Sequence, residues 1–461
     1  MKNFDAIVIG SGQGGTPLAK KLAKAGWKTA LVEKRFIGGT CVNDGCTPTK
    51  SMVACAKAAH TISHSQEWGI TVSDCKVNLE KIIERKNEVV MSFRGGAERG
   101  LEKTEGLTLI FGEAAFTAEK TLSVQLTNGG QEEITADKIF INTGTLPKIP
   151  PIPGLDSIPY FTNTTLLDNK TLPSHLLILG GSYIALEFGQ MFRRFGSQVT
   201  IIESKSQLMS REDDDVSLAV RKIMEAGGIT VHTNANVKKV ELSGNDVIRM
   251  ELNAGGQSHT ITGSHLLVAT GREPQTKSLQ PDKAGLSLDE KGFIKVNDKL
   301  ETGVAGIYAF GDVKGGPAFT HIAYNDHLVL LKNLVDKKDV SIKDRPVPYC
   351  MFTDPQLGRI GLTEKEAREK GFQVKVACLS MEKVARAIET GQTQGFMKAI
   401  VDASTDKILG AAILGEEGGE IMSVLQMAML GGFTASQLRE MIFAHPLYTE
   451  SLNNLFATIT D

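Results

Sequence analysis

The chain has 461 residues, which at roughly 150 residues per domain suggests about three domains. Its 51 basic and 53 acidic residues give a formal net charge of -2, without the basic excess of most nucleic-acid-binding proteins, so no nucleic-acid partner is expected. Six cysteines in this length exclude a disulfide-rich scaffold.

The chain opens with a predicted β-α-β unit. A short run rich in Ile and Val is typical of a strand buried on both faces, and a helix and a second strand follow it, at residues 4–10, 17–25 and 29–33. Gly10, Gly12 and Gly15 lie in the turn with the spacing Gly-x-Gly-x-x-Gly, and Glu33 ends the second strand. Such glycines let backbone amides approach a pyrophosphate, and such an acid accepts a hydrogen bond from a ribose hydroxyl. The pattern predicts a dinucleotide site; the alternative is a tight turn without a ligand.

The same order of elements recurs, with strands predicted at 176–180 and 199–203 and a helix at 183–195. Gly180 opens this turn, and the small residues Ser182 and Ala185 stand where further glycines would. A second nucleotide site is therefore predicted. Glu203 favours NADH because a carboxylate would repel a 2′-phosphate, although Lys205 nearby weakens that preference.

Each unit is followed by a predicted strand that ends in Thr-Gly, at 139–144 and 266–271, and a proline-rich segment, 147–154, is a predicted domain boundary. From about residue 346 the pattern changes to strands at 396–401 and 407–414 and a helix at 419–430. This region is predicted to be an α+β domain with an exposed sheet. No apolar run reaches the ~18 residues of a membrane span, no membrane partner is expected, and the start is not typical of a signal peptide, so a cytoplasmic location is expected.

Cys41 and Cys46 are the only cysteines that look like a pair in the sequence. The four residues between them include Gly45, and this spacing can bring two sulfurs within bonding range. Pro48 suits the first turn of a helix, so Cys46 is predicted at a helix N-terminus, where the helix dipole favours a thiolate. We predict a reducible, catalytic disulfide; two unrelated buried thiols are the alternative.

Two further pairs of polar residues are candidates for the site. A buried Lys50 would need a partner, for which Glu187 in the second unit is the candidate, and a surface lysine is the alternative. His445 is a candidate acid–base group because an imidazole titrates near neutrality, and Glu450 can orient its ring. A packing role for His445 is the alternative.

The segment GGTCVNDGCTPTK at residues 38–50 resembles the redox-active segment of the FAD-dependent pyridine nucleotide-disulfide oxidoreductases. The resemblance extends along the chain through GSGQGG at Gly10, GGSYIALE at Gly180, ATGREP at Ala269, IYAFGD ending at Asp312 and HPLYTE at His445. RKNEVV at Arg85 and TESLNNLF at Thr449 resemble the branch that contains the reactive-chlorine-resistance flavoprotein, near the mercuric reductases.

This resemblance implies an α/β fold class with two nested Rossmann-like dinucleotide-binding domains and a C-terminal α+β dimerisation domain. The implied domains are an FAD-binding domain at 1–147, an NAD(P)-binding domain at 148–268, a second part of the FAD and central region at 269–344, and a dimerisation domain at 345–461. The implied cofactors are FAD and NAD(P)H. The active unit is expected to be a homodimer in which the partner contributes His445.

The resemblance also assigns roles to single residues. Cys46 would be the charge-transfer thiolate next to the flavin, Cys41 the interchange thiol, and Tyr183 the ring that covers the flavin, with ordinary helix packing as the alternative for Tyr183. The residues implied at the FAD site are Gly10, Gly12, Gly15, Glu33, Lys34, Gly39, Thr40, Lys50, Ala115, Thr143, Gly144, Arg272, Gly311, Asp312 (on the ribityl chain) and Thr320. Those implied at the NAD(P) site are Gly180, Gly181, Ser182, Tyr183, Ile184, Glu187, Glu203, Val237 and Gly271.

The sequence does not identify the electron acceptor. The redox-active segment resembles mercuric reductase, but we expect neither an N-terminal Cys-x-x-Cys domain nor a C-terminal cysteine pair to pass on Hg(II). We expect a metal ion, as for a mercuric or cupric reductase, or a small oxidant. The alternatives are a small organic disulfide such as lipoamide or glutathione disulfide and, in another class, a redox sensor without turnover. No structural metal is expected, and metal contact only transiently at Cys41.

Asp44 lies between the two cysteines, where the family has a neutral residue. One hypothesis is that its charge raises the thiol pKa values and attracts cations. The alternative is that Asp44 caps a turn.

Overall fold

The computed structural model describes residues 1–459, which form two compact units. Unit 1 comprises Met1–Ser51, Glu80–Lys148 and Gly271–Arg345. Unit 2 comprises Met52–Leu79, Ile149–Thr270 and the described residues from Pro346 onward. Within residues 1–459, no helix combines the length and the apolarity that a membrane crossing requires.

Unit 1 is built on a six-stranded sheet. Its strands are, in spatial order, Lys2–Ile9, Thr29–Glu33, Leu107–Ala118, Thr121–Leu126, Gln131–Ile141 and Ile307–Ala309. The strand Lys2–Ile9 pairs in parallel with both Thr29–Glu33 and Gln131–Ile141, and all five residues of Thr29–Glu33 are buried. This burial on both faces explains their apolar sequences. A two-stranded ribbon joins Thr145–Pro147 to Arg272–Pro274.

The first helix, Gly15–Lys24, begins directly after the glycine-rich turn and buries Leu18, Leu22 and two alanines. Leu18 and Leu22 lie one turn apart on the same helix face, which packs on the sheet. The other helices that lie wholly or partly in unit 1 are Gly39–Asn43, Cys46–Ser63, Leu79–Glu102 and Thr320–Leu334. Short 3-10 turns occur at Pro281–Ala284 and Gly311–Lys314.

Unit 2 contains three sheets. The parallel sheet has the order His265–Val268, His175–Leu179, Gln198–Ile202 and Thr230–His232. An antiparallel sheet joins Ala235–Ser243, Val247–Ala254 and Gln257–Gly263. The third has the order Tyr349–Met351, Gln356–Gly361, Ile408–Gly415, Phe396–Asp402 and Val374–Ser380. The helices are Asn163–Leu166, Tyr183–Phe195, Asp214–Ala226, Glu364–Glu369, Ala385–Glu389, Gly418–Leu430, Ala435–Glu440 and Ser451–Ala457, and 3-10 turns lie at Ser65–Trp68, Leu155–Ser157, Gly244–Asp246, Met381–Lys383 and Tyr448–Glu450.

These elements confirm the predicted α/β fold class with two Rossmann-like units and a C-terminal α+β region. The prediction that the C-terminal sheet is exposed is wrong. The strands Phe396–Asp402 and Ile408–Gly415 are buried at all but one residue each. On one face an apolar core that includes Ile421 and Leu425 covers them, and the other face carries the buried Lys398.

Lys398 is 2% exposed and is surrounded by three carboxylates. Its Nζ lies 2.8 Å from Asp215, 3.0 Å from Glu364 and 3.4 Å from Asp213. The Asp213 carboxylate also accepts a hydrogen bond from the Glu364 backbone N–H. A buried ammonium needs such compensation. The cluster therefore joins residues 213–215 to the strand Phe396–Asp402 of the C-terminal sheet.

A second carboxylate of this segment, Glu212, is 6% exposed. Its Oε1 accepts a hydrogen bond from the Tyr349 hydroxyl, and its Oε2 lies 3.8 Å from Arg359 Nη1. Burial raises the pKa of Glu212 to about 7, because the charged form is poorly solvated there. Its pKa in the folded chain therefore lies above the unfolded value.

We predict that Glu212→Gln changes how stability depends on pH. The contribution of Glu212 to stability is complete below its ordinary pKa of 4.5 and is lost as the pH rises through about 7. From pH 5 to pH 8 the apparent Tm of the wild type should therefore fall by roughly 3–6 °C relative to the variant. Scanning calorimetry at several pH values measures this. Glu225→Gln, which removes an exposed carboxylate of the same unit, is the control, and parallel Tm profiles of wild type and Glu212→Gln would contradict the assignment.

Candidate active site

The first glycine-rich turn lies where backbone passes close to backbone. Gly10 has φ +100°, and a side chain there would overlap the Asn142 carbonyl oxygen. A side chain at Gly15 would overlap the Gly10 carbonyl oxygen. The Gly15 N–H donates to Asn142 Oδ1 at 3.0 Å, and Asn142 Nδ2 donates to the Phe310 carbonyl at 2.9 Å. The glycines therefore allow a tight turn at the start of a helix, an arrangement that fits the pyrophosphate of a dinucleotide.

Glu33, the predicted ribose acceptor, is 8% exposed at the end of its strand. Its Oε2 accepts hydrogen bonds from Ser11 N–H at 2.9 Å and from Ser11 Oγ at 2.7 Å, and its Oε1 accepts from Arg35 N–H at 2.8 Å. A carboxylate accepts about four hydrogen bonds, so Glu33 retains capacity for a ribose hydroxyl. Lys34 extends from the same turn, with Nζ 3.7 Å from Glu113.

The second turn in unit 2 repeats this geometry. Gly180 has φ +110°, and a side chain there would overlap the Ala269 carbonyl oxygen. Glu203 Oε1 accepts a hydrogen bond from the Lys205 N–H at 2.7 Å, as Glu33 does two residues before Arg35. A side chain at Gly181 would contact Glu203. The repeat seen in the sequence is therefore also a repeat of hydrogen bonds, which supports a second dinucleotide site.

The other residues predicted at the NAD(P) site lie around this turn or further along unit 2. Ser182 precedes the helix that starts at Tyr183, and Tyr183 and Ile184 are half-buried. Glu187 is 3% exposed, and its Oε1 accepts a hydrogen bond from the Phe352 N–H at 2.8 Å. Val237 lies on a strand of the antiparallel sheet, at a shift in register. The ion pair of Glu187 with a lysine of unit 1 stays a prediction.

The redox segment packs directly against the first glycine-rich turn. Gly39 has φ +60°, and a side chain there would overlap the backbone of Gly12. The Gly38 N–H donates to the Ser11 carbonyl at 3.2 Å, and Gln13 Nε2 donates to the Gly38 carbonyl at 3.3 Å. Glycines are needed at this contact because a larger residue would separate the two backbones.

The two cysteines lie on consecutive short elements of this segment. Cys41 belongs to the helix Gly39–Asn43, and Cys46 is the first residue of the helix Cys46–Ser63, as the position of Pro48 predicted. The structure brings the thiols together as hydrogen-bonding partners. The pair thus lies at a helix N-terminus, where a thiolate is stabilised.

Charged and polar neighbours distinguish the two thiols. The hydrogen bond with Cys46 and then burial raise the pKa of Cys41 far above its ordinary value, while Thr320 and the positive charge of Lys50 act in the opposite direction. Cys46 Sγ lies 3.3 Å from Thr320 Oγ1, and Thr320 begins the helix Thr320–Leu334. Cys41 therefore holds its proton firmly, so its deprotonation calls for a base.

Asp312 is half-buried beside the two-stranded ribbon formed by Thr145–Pro147 and Arg272–Pro274. Its Oδ2 accepts a hydrogen bond from Thr145 Oγ1 at 3.2 Å, and Arg272 donates to Thr145 Oγ1 at 2.7 Å and to its carbonyl at 2.8 Å. Burial raises the pKa of Asp312. Thr143 Oγ1 donates to the Gln275 carbonyl at 2.9 Å. A half-buried, hydrogen-bonded carboxyl of this kind fits a hydroxyl-bearing ligand chain.

The remaining predicted residues of unit 1 are glycines in left-handed conformations or lie on regular elements. Gly144, Gly271 and Gly311 have φ of +70°, +119° and +70°. Thr40 lies in the short helix with Cys41, and Ala115 pairs with Ser123 in the antiparallel part of the sheet.

Reasoning from the sequence missed Asn142, Ser11 and Thr145. Asn142 links the glycine-rich turn to the strand end at Phe310, and Ser11 contacts both Glu33 and Gly38. Their positions carried a signal, because Asn142 directly precedes the Thr-Gly pair and Ser11 lies inside the Gly-x-Gly.

His445 and Glu450 are paired, as predicted. His445 Nδ1 lies 2.9 Å from Glu450 Oε2 and 3.2 Å from Oε1. The His445 side chain is 68% exposed. An Nδ1–H held by a carboxylate leaves Nε2 as the proton-accepting nitrogen of a neutral ring. Among residues 1–459, no group of three or more His, Cys, Asp or Glu side chains is placed to hold a metal ion.

Known proteins resemble the chain over its full length. The chain is 39% identical to the probable pyridine nucleotide-disulfide oxidoreductase RclA of Escherichia coli (strain K12), covering 100% of both. It is 34% identical to a mercuric reductase of Bacillus cereus, over 98% of this chain and 70% of that one, and 34% identical to a dihydrolipoyl dehydrogenase of Thermus scotoductus, over 98% and 96%. The solved Cu(II) complex of the Escherichia coli HOCl-induced flavoprotein disulfide reductase RclA matches with a TM-score of 0.91 at 38% identity, over 100% of both chains.

Family models match most of the chain. Residues 4–326 match the pyridine nucleotide-disulphide oxidoreductase model and residues 347–456 its dimerisation domain. The resemblance inferred from the sequence is thereby confirmed, and so are FAD and NAD(P)H as the cofactors of the family. The chain belongs to the pyridine nucleotide-disulphide oxidoreductases.

Proposed function

We propose that the protein is an NAD(P)H-dependent oxidoreductase that passes electrons through a Cys41–Cys46 disulfide to a metal ion or a small oxidant. The observation that carries this proposal is the contact between the redox segment and the glycine-rich turn, Gly39 against Gly12. Because the two backbones touch, a dinucleotide at the turn and the sulfurs belong to one site.

FAD, when bound, would supply the redox chemistry that takes a hydride from the nicotinamide and delivers its two electrons to the disulfide. The protein's own residues would hold it through the turn at Gly10, Gly12 and Gly15, through Glu33, and through the half-buried Asp312. NAD(P)H would bind at the second turn, where Gly180 and Glu203 repeat the first geometry.

The two thiols would have different tasks. Cys46 lies beside Thr320 at a helix N-terminus, which suits the thiol that stays next to the cofactor as a thiolate. Cys41 has a raised pKa and therefore needs a base before it can attack or release an acceptor. His445 with Glu450 is the proposed base, with Nε2 as the proton-accepting atom.

We propose that the partner's His445 serves this role in a homodimer. The segment around His445 has exposed apolar side chains, with Met427 73%, Leu430 67%, Ile442 97% and Leu447 52% exposed. A patch of this kind on a soluble chain is typical of an interface, and the residues lie in the matched dimerisation domain. A reducible disulfide and few cysteines suit a cytoplasmic enzyme.

The proposed acceptor is a metal ion such as Cu(II) or Hg(II), or a small oxidant. RclA of Escherichia coli, solved as a Cu(II) complex, and the mercuric reductases support this choice through their similarity over nearly the whole chain. A small organic disulfide is the second candidate, favoured by the His445–Glu450 pair and by the similarity to dihydrolipoyl dehydrogenases.

Turnover with an acceptor tests the proposed function. NADH or NADPH is mixed with the FAD-loaded protein and Cu(II), Hg(II), lipoamide or glutathione disulfide. We expect sustained oxidation with at least one acceptor, and a loss of about 100-fold or more in Cys41→Ser and in Cys46→Ser because the sulfurs act as a unit. Cys75→Ser, at an exposed cysteine, is the matched control. A single stoichiometric reduction that then stops would instead identify a redox sensor.

Mixing two inactive variants tests the shared site. Cys41→Ser and His445→Ala should each lose activity, the latter by about 100-fold because an acid–base group is removed. When the two variants are refolded together or exchange subunits, half of the dimers should be mixed. One of the two sites in each mixed dimer then has both Cys41 and His445, so about a quarter of the wild-type sites should be restored. An unchanged low activity in mixtures whose subunits have exchanged would show that each chain uses its own His445.

A further inference from the structure

The loop between the two cysteines is bordered by an exposed aromatic ring and two arginines. Phe36 is 44% exposed, and the guanidinium groups of Arg94 and Arg35 lie 4.0 Å and 5.4 Å from its ring centroid. A ring between two cations holds both guanidinium groups through cation–π attraction. Phe36 thereby helps to position the guanidinium groups of Arg35 and Arg94.

One arginine fixes the residue next to Asp44. Arg94 Nε donates to Asn43 Oδ1 at 2.8 Å, and Asn43 Nδ2 donates to the carbonyls of Ile37 at 3.0 Å and Gly39 at 2.9 Å. Asn43 therefore uses both ends of its amide, and the loop has a defined conformation before Asp44.

The other arginine pairs with Asp44 itself. Arg35 Nη2 contacts Asp44 Oδ2, and the Asp44 side chain is 16% exposed. Asp44 stands three residues after Cys41 and two before Cys46, so its Cα lies within about 8 Å of the Cys46 Cα. Cys46 is exposed, but this distance does not exceed the Debye length of about 8–10 Å, so the carboxylate still acts on a thiolate at moderate ionic strength.

We infer that Arg35 is a positioning residue that neutralises Asp44 and thereby sets the equilibrium between the disulfide and dithiol forms of Cys41 and Cys46. The inference rests on the proposed function, since it requires that these cysteines form a redox disulfide. It refines the earlier hypothesis that the charge of Asp44 acts on the thiols: in this inference Arg35 compensates that charge.

The sign follows from the charge that reduction creates. Dithiothreitol gives two electrons and two protons to the Cys41–Cys46 S–S bond, which breaks, while dithiothreitol closes its own S–S bond. At pH 8 the Cys46 sulfur is expected to release its proton to solvent and remain a thiolate at the N-terminus of its helix. A carboxylate that has lost the Arg35 charge opposes that negative charge more strongly, and a guanidinium that has lost the Asp44 charge favours it.

The experiment measures the equilibrium constant with dithiothreitol in the FAD-loaded protein at pH 8, by alkylation of Cys41 and Cys46 and mass spectrometry. Arg35→Gln should disfavour the dithiol form about five- to tenfold, and Asp44→Asn should favour it by a similar factor; tenfold corresponds to about 30 mV. The double variant Arg35→Gln/Asp44→Asn should return to within about twofold of the wild type. Arg35→Lys, which keeps the positive charge, should behave as the wild type.

Glu132→Gln is the matched control, because it removes one exposed carboxylate paired with Lys2 in the same unit and should leave the constant unchanged. Equal constants in all variants would overturn the inference alone. So would shifts of Arg35→Gln and Asp44→Asn in the same direction, which would add in the double variant. A wild type in which Cys41 and Cys46 form no disulfide would overturn the proposed function as well, so the two failures are distinguishable.

Discussion

Close packing between two backbone segments is the constraint on which the site depends. The turn that starts the first helix and the segment that carries the cysteines touch at Gly12 and Gly39. A side chain on Gly39 would overlap the backbone of Gly12. The contact is reinforced by hydrogen bonds from Gly38 to Ser11 and from Gln13 to Gly38. Through it, the turn that we propose to bind a dinucleotide and the two thiols would be parts of one site, although neither would define an electron-transfer protein alone.

Duplication supplies the second half of the proposed path. Both glycine-rich turns use a left-handed glycine beneath a neighbouring carbonyl, and in both an acid at the strand end accepts a hydrogen bond from the backbone two residues later. This second feature fixes the direction of the carboxylates of Glu33 and Glu203. The same local chemistry therefore recurs at both of the proposed dinucleotide sites.

Much of this could be predicted because the signals are local. Strands buried on both faces are continuous apolar runs, glycines mark turns, and the five-residue spacing of His445 and Glu450 allows the contact that is observed. The prediction that the C-terminal sheet is exposed is wrong because both of its faces are covered by contacts that join segments far apart in the sequence, such as those of Lys398 with Asp213 and Asp215. Arg35 and Arg94 gave no signal, since their partners Asp44 and Asn43 are defined only by the fold.

The most direct test of the central claim counts thiols. The FAD-loaded protein is reduced with NADH or NADPH under anaerobic conditions, alkylated, digested and analysed by mass spectrometry, with an oxidised sample treated in parallel. The account predicts that reduction makes Cys41 and Cys46 newly reactive, while labelling of Cys75 and Cys378, both exposed, stays the same. Reduction of the flavin without new labelling at positions 41 and 46 would contradict it.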